Sequence, residues 1–117
     1  MEALQALLTR KSVPPRLMAG DGPSAEDLRE ILSAAMSAPD HGSVRPWRFV
    51  VIEGDDRRKL GEVFAEALKR RDPAAPADAI EKELGRPLRA PTVVAVMARV
   101  VHDRPNVPPV EQIVATA

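Results

Sequence analysis

Helix-type and strand-type patterns alternate along this chain, which predicts one domain of mixed α and β structure. Three observations carry that expectation. Leu28, Ile31, Leu32 and Ala35 fall on one face of a helix behind a capping serine. Phe49-Val50-Val51-Ile52 and Thr92-Val93-Val94-Ala95-Val96-Met97-Ala98 are short, charge-free and rich in β-branched residues, as buried strands are. The 12 prolines cluster between the patterned segments and act as breaks.

The first element is a short helix over residues 2 to 9, with Leu4, Leu7 and Leu8 on one face. Thr9-Arg10-Lys11-Ser12 follows, and Pro14-Pro15 blocks continuation because proline lacks an N–H and clashes with the preceding turn. The turn-rich stretch from Met18 to Pro23 leads to Ser24, an N-cap whose capping-box partner is Asp27. That helix is expected to end near Ser37, since Ala38 precedes a proline and is biased away from helical torsions. After the strand at Phe49 to Ile52, Gly54-Asp55-Asp56 closes the strand and caps a helix with Leu60, Val63, Phe64, Ala67 and Leu68 on its buried face. Its many charges read as a solvated surface.

Asp72-Pro73-Ala74-Ala75-Pro76 is a break, and a short helix from about Asp78 to Leu84 follows, with Gly85 as its C′ residue. Because no charge interrupts Thr92 to Ala98, that run is expected to be a central strand covered on both faces. Val100 to Pro109 forms a long connection in which His102, Asp103 and Arg104 read as solvated. Beyond Pro109 the segment Val110 to Ala117 begins another helix with no stop signal, so the sequence reads as cut inside an element.

At 117 residues the chain suits one domain burying roughly two thirds of its unfolded surface. Its 17 basic and 17 acidic side chains cancel, so no field for nucleic acid or a membrane surface is expected. The absence of cysteine excludes disulfides, thiolate nucleophiles and cysteine metal sites. No apolar run is long enough to span a membrane, and Met1-Glu2-Ala3-Leu4-Gln5 lacks the order of a signal peptide. The expectation is a soluble cytoplasmic protein.

Ala38-Pro39-Asp40-His41-Gly42-Ser43-Val44-Arg45-Pro46-Trp47 holds the greatest density of site-type residues, between a helix and a strand. Polar connections of this kind are where a rigid scaffold presents binding groups. No elbow serine, phosphate loop or dinucleotide fingerprint is present, and the two histidines have no metal-ligand spacing, so neither a catalytic residue nor a metal site is assigned. What remains is a set of donors, Arg10, Lys11, Ser12, Ser37, His41, Ser43 and Arg45, with Trp47 as a flat apolar wall. Such a set suits an anionic cofactor better than acid–base chemistry. Arg10, Lys11 and Ser12 have two readings: complements to the helix dipole, or a clasp for phosphate.

Four motifs in order then resemble one family. A starting helix runs into Thr9-Arg10-Lys11-Ser12, a capped helix into Ala38-Pro39-Asp40-His41, Arg45-Pro46-Trp47 into the strand, and Pro108-Pro109-Val110-Glu111-Gln112 into a final helix. This order is similar to the N-terminal part of the FMN-dependent nitroreductases, within them the small bacterial NAD(P)H nitroreductases of the YdjA type. The resemblance implies an α+β fold, an α/β/α sandwich with a mainly antiparallel sheet, in a homodimer with FMN at the subunit interface. It implies that Arg10 and Ser12, with Lys11, hold the FMN phosphate and ribityl chain, and that Ser37 and His41 reach the flavin bound mainly by the other subunit. Ser43 and Arg45 stand where the wider family carries asparagine and glutamine.

The implied activity is hydride transfer from NAD(P)H through FMN to a nitroaromatic, quinone or related acceptor, with Lys11 or Arg45 as a cation beside the flavin's pyrimidine end. Family members are longer, so the rest of the central helix and a second phosphate contact are expected to lie outside this chain. Two other functions stay open: a truncated, flavin-free paralogue or fragment acting as a dimerisation or binding module, and a small α/β protein holding another phosphorylated ligand through Arg10 and Ser12.

Overall fold

A computed structural model describes residues 2–117 of the chain. Its elements run α1 (Ala3–Thr9), α2 (Ala25–Met36), β1 (Trp47–Glu53), α3 (Asp56–Arg71), α4 (Ala77–Gly85), β2 (Thr92–Ala98) and α5 (Pro109–Thr116). Single 3-10 turns stand at Pro15–Leu17, His41–Ser43 and Arg86–Arg89. The architecture is α+β, with the two strands paired antiparallel from Trp47 opposite Ala98 to Glu53 opposite Thr92. The hydroxyl of Thr92 donates to Glu53 at 3.0 Å at one end of the ladder. At the other end the Arg99 N–H donates to the Pro46 carbonyl, extending the pairing into the loop before β1.

Local signals explain most boundaries. The capping box of α2 forms in full: Ser24 Oγ accepts from the Asp27 N–H at 3.1 Å, and Asp27 Oδ2 accepts from the Ser24 N–H at 3.1 Å. Two orphan donors of the first turn are thereby satisfied reciprocally. Asp55 occupies the cap position of α3 without a side-chain capping bond, contrary to the sequence expectation. Its backbone is already helical at φ −70°, ψ −18°, so the carboxylate is not aimed back over the first N–H groups.

Gly85 also departs from expectation, because it lies inside α4 at φ −80° and is not a left-handed C′ residue. The chain instead tightens directly into the 3-10 turn at Arg86. Helices α3 and α4 pack closely through Gly61, which is buried against the backbone of Leu84.

Among the described residues the buried ones form two clusters. Gly61, Ala65 and Pro87 lie between α3 and the end of α4, while Pro46, Trp47, Val107 and Gln112 lie where β1 begins and α5 starts. The expectation of a central, doubly covered β2 is corrected. Val96 is 51% and Met97 45% exposed, because among the described residues β2 pairs only with β1 and no element covers these side chains. The three leucines of α1 are likewise exposed.

The accessible surface is 9131 Å². A self-sufficient monomer of 12.7 kDa exposes about 6,200 Å². The chain therefore buries about half of its unfolded surface, below the expected two thirds. Its radius of gyration of 17.6 Å, against about 13 Å for a close-packed chain of this length, agrees. No helix among the described residues is long and apolar enough to cross a membrane.

Candidate functional site

The loop from Ala38 to Pro46 is held by its own residues. Asp40 Oδ2 accepts the backbone N–H of Arg45, and the Asp40 carbonyl accepts the Ser43 N–H at 3.4 Å. This closes the loop on itself and drives three of its residues into left-handed torsions: Gly42 at φ +71°, Ser43 at +51° and Arg45 at +48°. Glycine accepts such a torsion freely, whereas serine and arginine do so at a cost of order 1 kcal/mol each. Strain of this kind persists where surrounding structure enforces it. Here Val107, buried, lies where a side chain at Gly42 would stand, and Pro46 and Trp47 anchor the loop's exit.

The wall behind the loop is built from α5. Gln112 is completely buried and makes three side-chain hydrogen bonds: its Oε1 accepts the Val101 N–H at 2.8 Å, and its Nε2 donates to the carbonyls of Val101 and Val107 at 2.8 and 2.9 Å. One side chain thus fixes the connection between β2 and α5. Its neighbour Glu111 faces the loop, where Oε2 lies 2.8 Å from His41 Nδ1. His41 stands between two cavities of about 340 Å³ each, one lined by Asp103, Arg104 and Asn106, the other by Pro39, Val110 and Val114. Asp40 adds a second polar feature, since its Oδ1 is buried with no hydrogen-bond partner among the described residues.

The candidate residues named from sequence divide into groups. His41, Ser43 and Arg45 share the strained loop, with their side chains exposed. Ser37, at the end of α2, turns its hydroxyl inward to its own helix and donates to the Ala34 carbonyl at 2.7 Å. Arg10, Lys11 and Ser12 follow α1 outside any helix or strand and are exposed, with no side-chain hydrogen bond or ion pair among the described residues. Among the described residues no hydrogen bond joins them to the 37–45 group.

Trp47 is not the open wall expected of it. It is 6% exposed, and its Nε1–H donates to Met36 Sδ at 3.0 Å, so it belongs to the packing beneath the site. Glu111 and Gln112 were missed as site residues by local pattern. Their partners lie 70 and 11 positions away, and only their place at a helix start after Pro108-Pro109 marked them.

Comparison with known proteins identifies the family of this chain. The family model described as "Nitroreductase family" matches residues 7–117. The chain is 41% identical over 101 residues to "Putative NAD(P)H nitroreductase YdjA" of Escherichia coli K12, which covers 85% of this chain and 52% of that protein. It is 35% identical over 115 residues to a "Putative NAD(P)H nitroreductase" of Haemophilus influenzae, covering 98% of this chain and 60% of that one. A crystal structure of a nitroreductase-like family protein from Bacillus cereus superposes with a TM-score of 0.74 at 22% identity, over 99% of this chain and 58% of the other, which shows the shared fold. The chain spans between about half and three fifths of the length of these relatives. With the match extending from α1 through the strained loop to the Glu111-Gln112 turn, the chain belongs to the nitroreductase family.

Proposed function

We propose that this protein acts as a cytoplasmic, FMN-dependent NAD(P)H oxidoreductase of the nitroreductase type, passing hydride to nitroaromatic, quinone or related acceptors. The observation that carries the reading is the unengaged cationic segment Arg10-Lys11-Ser12, which no internal partner neutralises among the described residues. Two cations and a hydroxyl on consecutive exposed residues suit a phosphate monoester, which recruits charge-assisted donors. The relatives named as NAD(P)H nitroreductases support the same reading.

In this proposal Arg10 and Ser12 hold the FMN phosphate and ribityl chain, with Lys11 beside them. Ser37, His41, Ser43 and Arg45 would form the second half of the site, with Ser37 and His41 reaching the flavin bound mainly by the other subunit. The hydride chemistry belongs to the bound flavin, and the chain's contribution is binding, orientation and electrostatics. A cation at Lys11 or Arg45 would favour negative charge on a bound flavin.

A homodimer is part of the reading. The two halves of the donor set are not joined within one chain, and roughly 2,900 Å² of surface beyond that of a self-sufficient monomer awaits cover. The exposed Leu4, Leu7 and Leu8 of α1 and Val110, Ile113 and Val114 of α5 are the apolar part of that surface.

The test is uptake of FMN. The purified protein is expected to carry or acquire flavin absorption, and Arg10→Ala with Ser12→Ala to weaken FMN binding more than riboflavin binding, because only FMN has the phosphate. A protein that takes up no FMN rejects the reading. A second reading, a flavin-free dimerisation module, is favoured by the same excess of exposed surface, and a colourless dimer in light scattering would select it.

A further inference from the structure

We propose that Glu111 is a positioning residue that fixes the tautomer of His41 and thereby makes the imidazole Nε2 a hydrogen-bond acceptor for the bound ligand. The geometry is direct: Glu111 Oε2 lies 2.8 Å from Nδ1 of His41. An ionised carboxylate can only accept, so the ring nitrogen facing it carries the proton. In a neutral imidazole the other nitrogen then presents a lone pair.

Both ends of the pair stand on fixed backbone. Glu111 precedes Gln112, whose three hydrogen bonds lock the first turn of α5 to residues 101 and 107. His41 precedes Gly42, against which the buried Val107 packs. The same Val107 supplies one of the carbonyls held by Gln112. The ring is therefore oriented by a carboxylate and a loop that share one anchor, as a metal-bound or catalytic histidine is oriented by the group on its far nitrogen. The side chains are 62% and 47% exposed, so the ring is reachable from solvent.

The consequence is a preference in ligand chemistry. A site that offers Nε2 as acceptor selects a group with an N–H or O–H donor, and the imide edge of an oxidised flavin presents such an N–H. For the ligand's identity this inference rests on the proposed FMN function. The tautomer itself does not.

Nitrogen-15 NMR of the full chain labelled at histidine, without ligand, reads the tautomer directly, and His41→Ala assigns the signals against His102. In the neutral ring the expected result is Nδ1–H with unprotonated Nε2, retained in Glu111→Gln, whose amide oxygen still accepts, and shifted towards Nε2–H in Glu111→Ala. FMN titration should then show Glu111→Ala weakened about fivefold, Glu111→Gln near wild type, and the Glu111→Ala/His41→Ala double variant no weaker than His41→Ala alone. An unchanged tautomer in Glu111→Ala overturns the proposal. So does a Glu111→Gln variant as weak as Glu111→Ala, or additive losses in the double variant. A wild-type chain that takes up no FMN removes the proposed function, while the tautomer measurement still decides the role of Glu111.

Discussion

The indole Nε1–H of Trp47 donates to the sulfur of Met36 at 3.0 Å, joining the first residue of β1 to the last residue of α2. The loop between them is therefore clasped at its base by one part-buried hydrogen bond. Replacing Met36 with leucine keeps the apolar volume and leaves the indole N–H without its acceptor. The expected loss is about 1–2 kcal/mol. Trp47 is the only tryptophan, so its fluorescence in a urea titration measures the effect, and an unchanged midpoint would show that the clasp carries no stability.

Gly61 and Gly85 should respond to alanine in opposite directions. Alanine improves helix propensity at either position by about 1 kcal/mol. At Gly61 the added methyl would collide with the Leu84 carbonyl, a backbone group that cannot swing aside. Overpacking of that kind costs about 1–3 kcal/mol or more, so Gly61→Ala is expected to destabilise despite its propensity. At Gly85 nothing lies within 4 Å of the added methyl and φ is −80°, so Gly85→Ala is expected to stabilise by several tenths of a kcal/mol. Paired denaturant midpoints check the contrast.

Gln112→Leu should be the costliest single change near the site. It strands the N–H and carbonyl of Val101 and the carbonyl of Val107, with an expected loss of about 2–4 kcal/mol. Amide exchange at Val101 supplies the specific readout: protection at that N–H should fall by orders of magnitude while the α3 and α4 amides keep theirs. Equal loss everywhere would mean that the side chain supports the whole chain and not the connection.

The capping box of α2 gives a pH dependence with a definite sign. Hydrogen bonds from the Ser24 hydroxyl and then from the Ser24 N–H hold the Asp27 carboxyl below its ordinary value of 3.8. A depressed folded value contributes stability at pH well above 3.8, and that contribution is lost as pH falls through the lowered value. Ser24→Ala should therefore return the Asp27 titration towards 3.8 and flatten the acid limb of α2 unfolding. NMR titration of the Asp27 carboxyl follows this directly.

Much of the fold was legible because its signals are local. The box of Ser24 and Asp27, the β-branched strands and the proline breaks each act within a few residues, and helices and strands fall where those signals place them. Gly85 shows the limit, since glycine after an apolar stripe fits both a left-handed cap and a helix that tightens into a 3-10 turn. The exposure of Val96 and Met97 had no local sign either: a charge-free run reports what a strand is suited to pack against, not whether this chain supplies it.

In the candidate site, the loop was visible as a concentration of polar residues, but its closure was not. The left-handed torsions fall on Ser43 and Arg45, residues that give no hint of positive φ, and they follow from the Asp40 carboxylate taking the Arg45 N–H. The pairing of His41 with Glu111 is invisible to any short motif.

The register of the two strands places Glu53 opposite Thr92, so everything between them returns to where it left. Helices α3 and α4 thus form an excursion at the tip of one long hairpin, packed on each other at Gly61. That geometry implies an order of assembly. Docking the two helices first draws the strand ends together and shortens the loop whose closure the sheet must await. Side-chain truncations along the α3–α4 contact are accordingly expected to slow folding, and truncations along β2 to speed unfolding instead.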